Sequence, residues 1–227
     1  MTVSVTWHGH ATFTIDVNGT KIVVDPYFDD NPSAKIKAAD VEADVILLTH
    51  GHGDHVADAL PIAKRTGAKL IANFEIVGWI SGQGHENCHA QHLGGGFQHD
   101  FGHVKMTPAL HGSGLPDGSY GGMPGGFLLT LDGKRIYISG DTALFSDMAL
   151  IGADGLDLAI LCIGDNYTMG PDDALLSLEY LNTKAVIPCH YNTWPPIEVD
   201  VEAWAEKVKA NTAVSPVILN VEESYTV

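Results

Sequence analysis

Val45-Ile46-Leu47-Leu48-Thr49-His50-Gly51-His52-Gly53-Asp54-His55 is the stretch whose reading decides the fold. The apolar run Val45–Leu48 predicts a buried strand, and the chain then turns through three imidazoles and a carboxylate within six residues. Gly51 and Gly53 let the backbone bend tightly enough for alternate side chains to converge. Neutral imidazoles and carboxylates are the donors that zinc and similar divalent ions prefer. With 12 histidines in the chain, a chance pair is ordinary. His-X-His-X-Asp-His directly behind an apolar strand is not.

Working outward, short β-type runs alternate with helical stretches. Val3–Trp7, Thr12–Val17 and Lys21–Val24 read as strands, the last two joined by the hairpin signal Asn18-Gly19, with Asp25-Pro26 closing the third. A helix is expected from the His/Asp turn through Arg65, stopped at Gly67, followed by a strand Lys69–Ala72 and a short helix Glu75–Ile80. Val104–Leu110 leads into His111 and then a glycine-rich segment, 112–126. The second half repeats the grammar. Phe127–Leu131 and Arg135–Ser139 form a hairpin at Asp132-Gly133, Leu156–Ile163 and Ala185–Cys189 are apolar strands, and Asp172–Leu181 and Val201–Asn211 are helices. Two such halves predict an α/β protein with two sheets packed face to face and helices outside.

Three more ligand-type residues stand at the ends of these strands: His111, Asp141 and His190. Each alone has a plain explanation as a surface histidine or a Gly-Asp turn. With the first motif they make seven ligands, enough for two ions with open coordination positions, as catalytic sites require.

The 227 residues suit a single large domain or two fused half-domains. A formal net charge of −16 argues against nucleic acid and anionic membrane surfaces as partners and leaves a small-molecule substrate, with homo-oligomerisation open. Three cysteines, Cys88, Cys162 and Cys189, give no disulfide framework. No signal-peptide pattern or spanning apolar run is evident, so a cytoplasmic location is expected.

Trp7-His8-Gly9-His10-Ala11, Asp25-Pro26 with Asn31-Pro32, Ala109-Leu110-His111-Gly112-Ser113, Pro124-Gly125-Gly126-Phe127, Ser139-Gly140-Asp141-Thr142, Gly164-Asp165-Asn166-Tyr167-Thr168-Met169-Gly170-Pro171 and Pro188-Cys189-His190-Tyr191-Asn192-Thr193 complete the pattern. In these the chain resembles the metallo-β-lactamase superfamily, within it a small hydrolase branch related to ascorbate-6-phosphate lactonase. The resemblance covers nearly the whole length and implies a single domain, 1–227, with a four-layer αββα sandwich of two mixed sheets. It implies two divalent ions, zinc foremost with manganese or iron compatible. His50, His52 and His111 would hold one, Asp54, His55 and His190 the other, and Asp141 would bridge. A water or hydroxide between the ions would be the nucleophile, with Asp54 as ligand and candidate proton acceptor. The activity expected is hydrolysis of a small ester or lactone. A phosphodiesterase or nuclease is the alternative, and a non-catalytic metal sensor the third reading.

His10 is expected to hydrogen-bond a ligand or line the pocket, or else to be a satisfied core imidazole. His8 is given no role. His85, His89, His92, His99 and His103 end no convincing strand and are not counted as ligands. Cys162 and Cys189 are read as core, and segment 112–126 as a candidate lid. Asn166 or Tyr167 is a candidate oxyanion donor, with Tyr191 and Asn192 as alternatives.

Overall fold

The computed structural model describes residues 2–227. β1 (Val3–Trp7), β2 (Phe13–Val17) and β3 (Thr20–Val24) form an antiparallel meander. β4 (Val45–Leu47) pairs parallel with β3; α1 (Gly53–Val56) and α2 (Ala59–Thr66) then lead to β5 (Lys69–Asn73), parallel to β4. α3 (Phe74–Gly82) returns the chain to β6 (Cys88–Gln91), parallel to β5, and β7 (Gly96–His99) opens the second sheet. There β8 (Gly102–Pro108), β9 (Gly125–Leu131) and β10 (Lys134–Ile138) continue antiparallel. After α4 (Met148–Ile151) come β11 (Leu156–Cys162), α5 (Pro171–Leu181), β12 (Thr183–Cys189), α6 (Val201–Asn211), β13 (Ser215–Pro216) and β14 (Ser224–Thr226).

The result is two seven-stranded mixed sheets, ordered β14-β1-β2-β3-β4-β5-β6 and β13-β12-β11-β10-β9-β8-β7. Each has an antiparallel half and a parallel half. Strand alternation feeds two cores. Ile22, Val24, Val45, Leu47 and Ile71 face the second sheet, joining Phe127, Leu129, Ile136 and Ile160. Val23, Ile46, Leu48, Leu70 and Ala72 point the other way, against Ile62 and Ala63 of α2 and Ile76 and Ile80 of α3. A strand covered on both faces is apolar along its length, which is why β4, and β11 from Leu158 onward, read as unbroken hydrophobic runs. Each such side chain stabilises the fold by about 1.5–3 kcal/mol on burial.

Both hairpin turns form as expected, with left-handed backbone at Asn18, Gly19, Asp132 and Gly133. The expected helix through Arg65 is two pieces, and the expected strand Val104–Leu110 ends at Pro108. β6 and β7 were not expected. Cys-His-Ala-Gln and Gly-Phe-Gln-His have little β-branched content, and both are edge strands with exposed positions.

Segment 112–126, the candidate lid, is tied to β5 and α3 by hydrogen bonds. Asn73 Nδ2 donates to the carbonyls of Gly121 (2.7 Å) and Met123 (3.1 Å), and Trp79 Nε1 donates to Asp117 Oδ2 (2.7 Å). Leu115 is buried against Gly51, where an added Cβ would stand 3.1 Å from its side chain. The loop thus braces the histidine turn. No helix among the described residues is long and apolar enough to cross a membrane.

Candidate metal centre

Strand direction assembles the site. β1, β3 and β4 of one sheet and β8, β10, β11 and β12 of the other end at the same edge of the sandwich, because each is parallel to, or two antiparallel steps from, its neighbour in this set. The carboxyl ends of strands are where α/β sheets display binding groups. His10 follows β1, Asp25 follows β3, His50–His55 follow β4, His111 follows β8, Asp141 follows β10 and His190 follows β12. His10, Asp25, Asp165, Asn166, His190 and Asn192, all just beyond these ends, have φ between 45° and 61°. Non-glycine residues held left-handed are costly and concentrate at functional sites. Gly140 (φ 58°) shows why a glycine precedes Asp141: an added Cβ would stand 2.7 Å from the Gly125 carbonyl.

The seven candidate ligands converge. Nitrogen atoms of His50, His52 and His111 form one cluster, His10, Asp54, His55 and His190 a second, and His50, His55 and Asp141 a third linking them. Asp141 Oδ2 lies 3.0 Å from His190 Nε2, 3.3 Å from His55 Nε2, 3.6 Å from His111 Nε2 and 3.9 Å from His50 Nε2. Asp54 Oδ2 lies 3.0 Å from His10 Nε2, 3.6 Å from His55 Nε2 and 3.7 Å from His190 Nε2.

Asp25 orients two of these imidazoles. Its buried carboxylate accepts hydrogen bonds from His55 Nδ1 (2.9 Å), Thr49 Oγ1 (2.6 Å) and Thr49 N (2.8 Å). Thr49 Oγ1, having donated to Asp25, accepts from His50 Nδ1 at 2.9 Å. Both rings therefore turn their Nε2 atoms toward Asp141. In the second cluster, Thr193 Oγ1 donates to His10 Nδ1 (2.8 Å), so His10 Nε2 donates to Asp54.

The electrostatics ask for cations at this place. Burial opposes ionisation of Asp141, but the neighbouring His190 and His55 outweigh it and hold the carboxyl well below its usual range. Burial likewise opposes charge on His190, yet Asp141 and Asp54 raise it to about 9. His55 is raised for the same reason by Asp141 and Asp25. Burial lowers His50, His111 and His10, the last to about 4, leaving them neutral donors. His55 Nε2 and Asp141 Oδ1 are buried without a hydrogen-bond partner. Orphaned buried atoms of this kind among clustered imidazoles fit divalent metal ions.

The cluster is the floor of a cavity of about 460 Å³, lined by His52, Asp54, His111, Asp141 and His190 together with Tyr167 and Trp194. Trp194 and Asp25 had no place among the expected site residues. The only sequence signals were the Asp-Pro after β3 and an aromatic residue four positions beyond His190.

Tyr191 and Asn166 are corrections. Tyr191 lies in the core, its ring stacked on Trp7 at 5.4 Å, on the same side as Cys189 two positions before it. Asn166 is exposed and does not line the cavity, whereas Tyr167 does. Asn192 is engaged with Val199. His89, His99 and His103 lie in β6, β7 and β8, and no histidine between 85 and 103 joins the ligand clusters. His99 ends β7 and stacks on Phe101. Cys162 and Cys189 are buried in the core.

Residues 20–191 match the profile of the Beta-lactamase superfamily domain. The chain belongs to that superfamily. Within it, the chain is 47% identical to the UPF0173 metal-dependent hydrolase of Bacillus cereus strain B4264, over 99% of this chain and 100% of that one. Igni18, a metallo hydrolase from the hyperthermophilic archaeon Ignicoccus hospitalis, superposes with a TM-score of 0.91 at 34% identity, covering 100% and 99% of the two chains. An isothiocyanate hydrolase from Delia radicum gut bacteria shares the fold, with a TM-score of 0.77 at 21% identity over 98% of each chain. The protein is thus a metal-dependent hydrolase of the beta-lactamase superfamily, and the His/Asp cluster is its candidate metal centre.

Proposed function

We propose that this hydrolase uses two divalent ions, zinc foremost, to cleave a small carboxylic ester, above all a lactone. One observation carries the proposal: Asp141 Oδ2 stands within 4 Å of imidazole nitrogens from both ligand clusters, at the floor of an open cavity. His50, His52 and His111 would hold one ion, Asp54, His55 and His190 the other, with Asp141 between. Bound there, the ions would polarise the scissile carbonyl and bring the pKa of water toward about 7.

The remaining work falls to this chain's own groups. Asp25 and Thr49 fix the tautomers of His55 and His50. His10 Nε2 donates to Asp54 Oδ2, keeping that oxygen aimed at the cavity and ionised. Asp54, one of two carboxylates lining the cavity, is the candidate acceptor of a proton leaving the attacking water. Tyr167, on the cavity wall, is the candidate hydrogen-bond donor to the developing oxyanion.

Phosphoryl transfer on the same centre gains from extra cations around the phosphate. None of the 12 Lys and Arg side chains lines this cavity. A panel of lactones, simple esters, β-lactams and bis-p-nitrophenyl phosphate, run on metal-replete protein, tests the reading. Faster turnover of a lactone or ester than of the phosphodiester is expected, and the reverse ranking across several metals would move the function to phosphoryl chemistry.

A further inference from the structure

Two aromatic side chains share the cavity with the ligand cluster, one from each loop beyond β11 and β12. Tyr167 is 54% exposed, yet its backbone is set by left-handed Asp165 and Asn166 and by its own N–H, which donates to the Asp165 carbonyl. Trp194 is half-buried, its ring 4.8 Å from that of His10 and 6.4 Å from that of Tyr27. The Ile197 N–H donates to the Trp194 carbonyl at 3.0 Å across Pro195-Pro196, which holds the indole in place. Both rings are thus presented on constrained loops rather than on mobile ones.

Charge gives the complementary half. Metal ions held at the floor would supply the positive charge for the scissile bond, and no basic side chain lines the cavity to receive a second anionic group. The net charge of −16 adds long-range repulsion against such a substrate.

We infer that the cavity selects an uncharged, flat, apolar substituent on the substrate, such as a phenyl-bearing lactone or ester, with Trp194 and Tyr167 as the specificity-determining walls. For its reaction this rests on the ester hydrolysis proposed above; for the ligand class it rests on the cavity lining. A carboxylate in the same place would meet aromatic faces and lose hydration with no cationic side chain to offset it.

The test pairs two lactones with one ring and one leaving group, γ-phenyl- and γ-carboxy-γ-butyrolactone, on the metal-loaded enzyme. The phenyl compound should have the higher kcat/KM. Trp194→Ala and Tyr167→Ala should each shrink that preference by about three- to tenfold, the worth of one aromatic contact, chiefly through KM. Trp194→Arg should move it toward the carboxylate. Binding is read separately by indole 15N NMR with the non-reacting probes phenylacetamide and succinamate. Of the four tryptophan signals, the one absent in Trp194→Phe should shift with the first probe only. If that signal shifts and no lactone turns over, the ligand class stands and the ester reading fails. Preference for the carboxylate in both assays, or a preference unmoved by all three variants, overturns the inference.

Discussion

Asp25 accepts a 2.9 Å hydrogen bond from His55 Nδ1, joining the turn after β3 to the histidine motif thirty residues further along. Both side chains are buried, and the same carboxylate reaches His50 through Thr49. A carboxylate behind an imidazole fixes the ring's tautomer and raises its basicity toward a metal ion. The conformation has a cost, since Asp25 is held at a φ of 45°. That cost is consistent with a residue placed for the centre rather than for the strand it ends.

Asp25→Ala should therefore lower metal affinity by about 10- to 100-fold, the usual effect of removing such a partner. Competition against a chromogenic chelator measures it, and circular dichroism verifies the fold. Affinity equal to that of the unsubstituted protein would deny Asp25 this role.

Elemental analysis of protein purified without chelator should give two ions per chain. Asp141→Ala, which removes the carboxylate between the clusters, should lower that content and abolish turnover. His111→Ala should lose one ion and turnover while leaving both hydrophobic cores untouched. A saturable content of one ion or fewer after reconstitution would refute the dinuclear arrangement.

Much of this was legible because apolar runs and ligand residues alternate along the chain. β4 announces itself by continuous burial and β11 does so from Leu158, while His50, Asp141 and His190 each stand just past the end of a strand. Local pattern failed where long-range pairing decides. β6 and β7 are polar edge strands, and Asp25 acquires its partners only when β3 and β4 lie side by side. Tyr191 was misplaced for a different reason. Its place beside His190 suggested a role at the site, yet like Cys189 two positions before it the side chain packs in the core, stacked on Trp7. Trp194 belongs to no recognisable motif; only the cavity reveals it.

A stability measurement isolates a histidine away from the metal centre. His99 is buried among His89, Phe97 and Phe101, with Nε2 unpartnered. Burial, reinforced by His89, lowers its pKa from 6.5 to about 4. A depressed folded pKa means that protons bind the unfolded chain more readily, so stability is full above 6.5 and is lost as pH falls toward 4. His99→Phe should flatten the decline in melting temperature across that window. An unchanged slope would show that His99 is not a source of acid lability.

The last prediction concerns protons exchanged for metal. His190 is raised to about 9 despite its burial, because Asp141 and Asp54 face it, and His55 is raised as well. At pH 7 the metal-free protein therefore carries protons on two imidazoles that must be neutral to bind an ion. Loading should release protons at pH 7, and affinity should climb as pH rises toward about 9, where His190 loses its proton unaided. Calorimetric titration in buffers of different ionisation enthalpy reads the release directly. The release should shrink in His190→Ala, which removes one of the two protonated rings. Binding at pH 7 without proton release, or affinity that falls from pH 6 to 8, would mean that these imidazoles already stand neutral and that the carboxylates do not charge them.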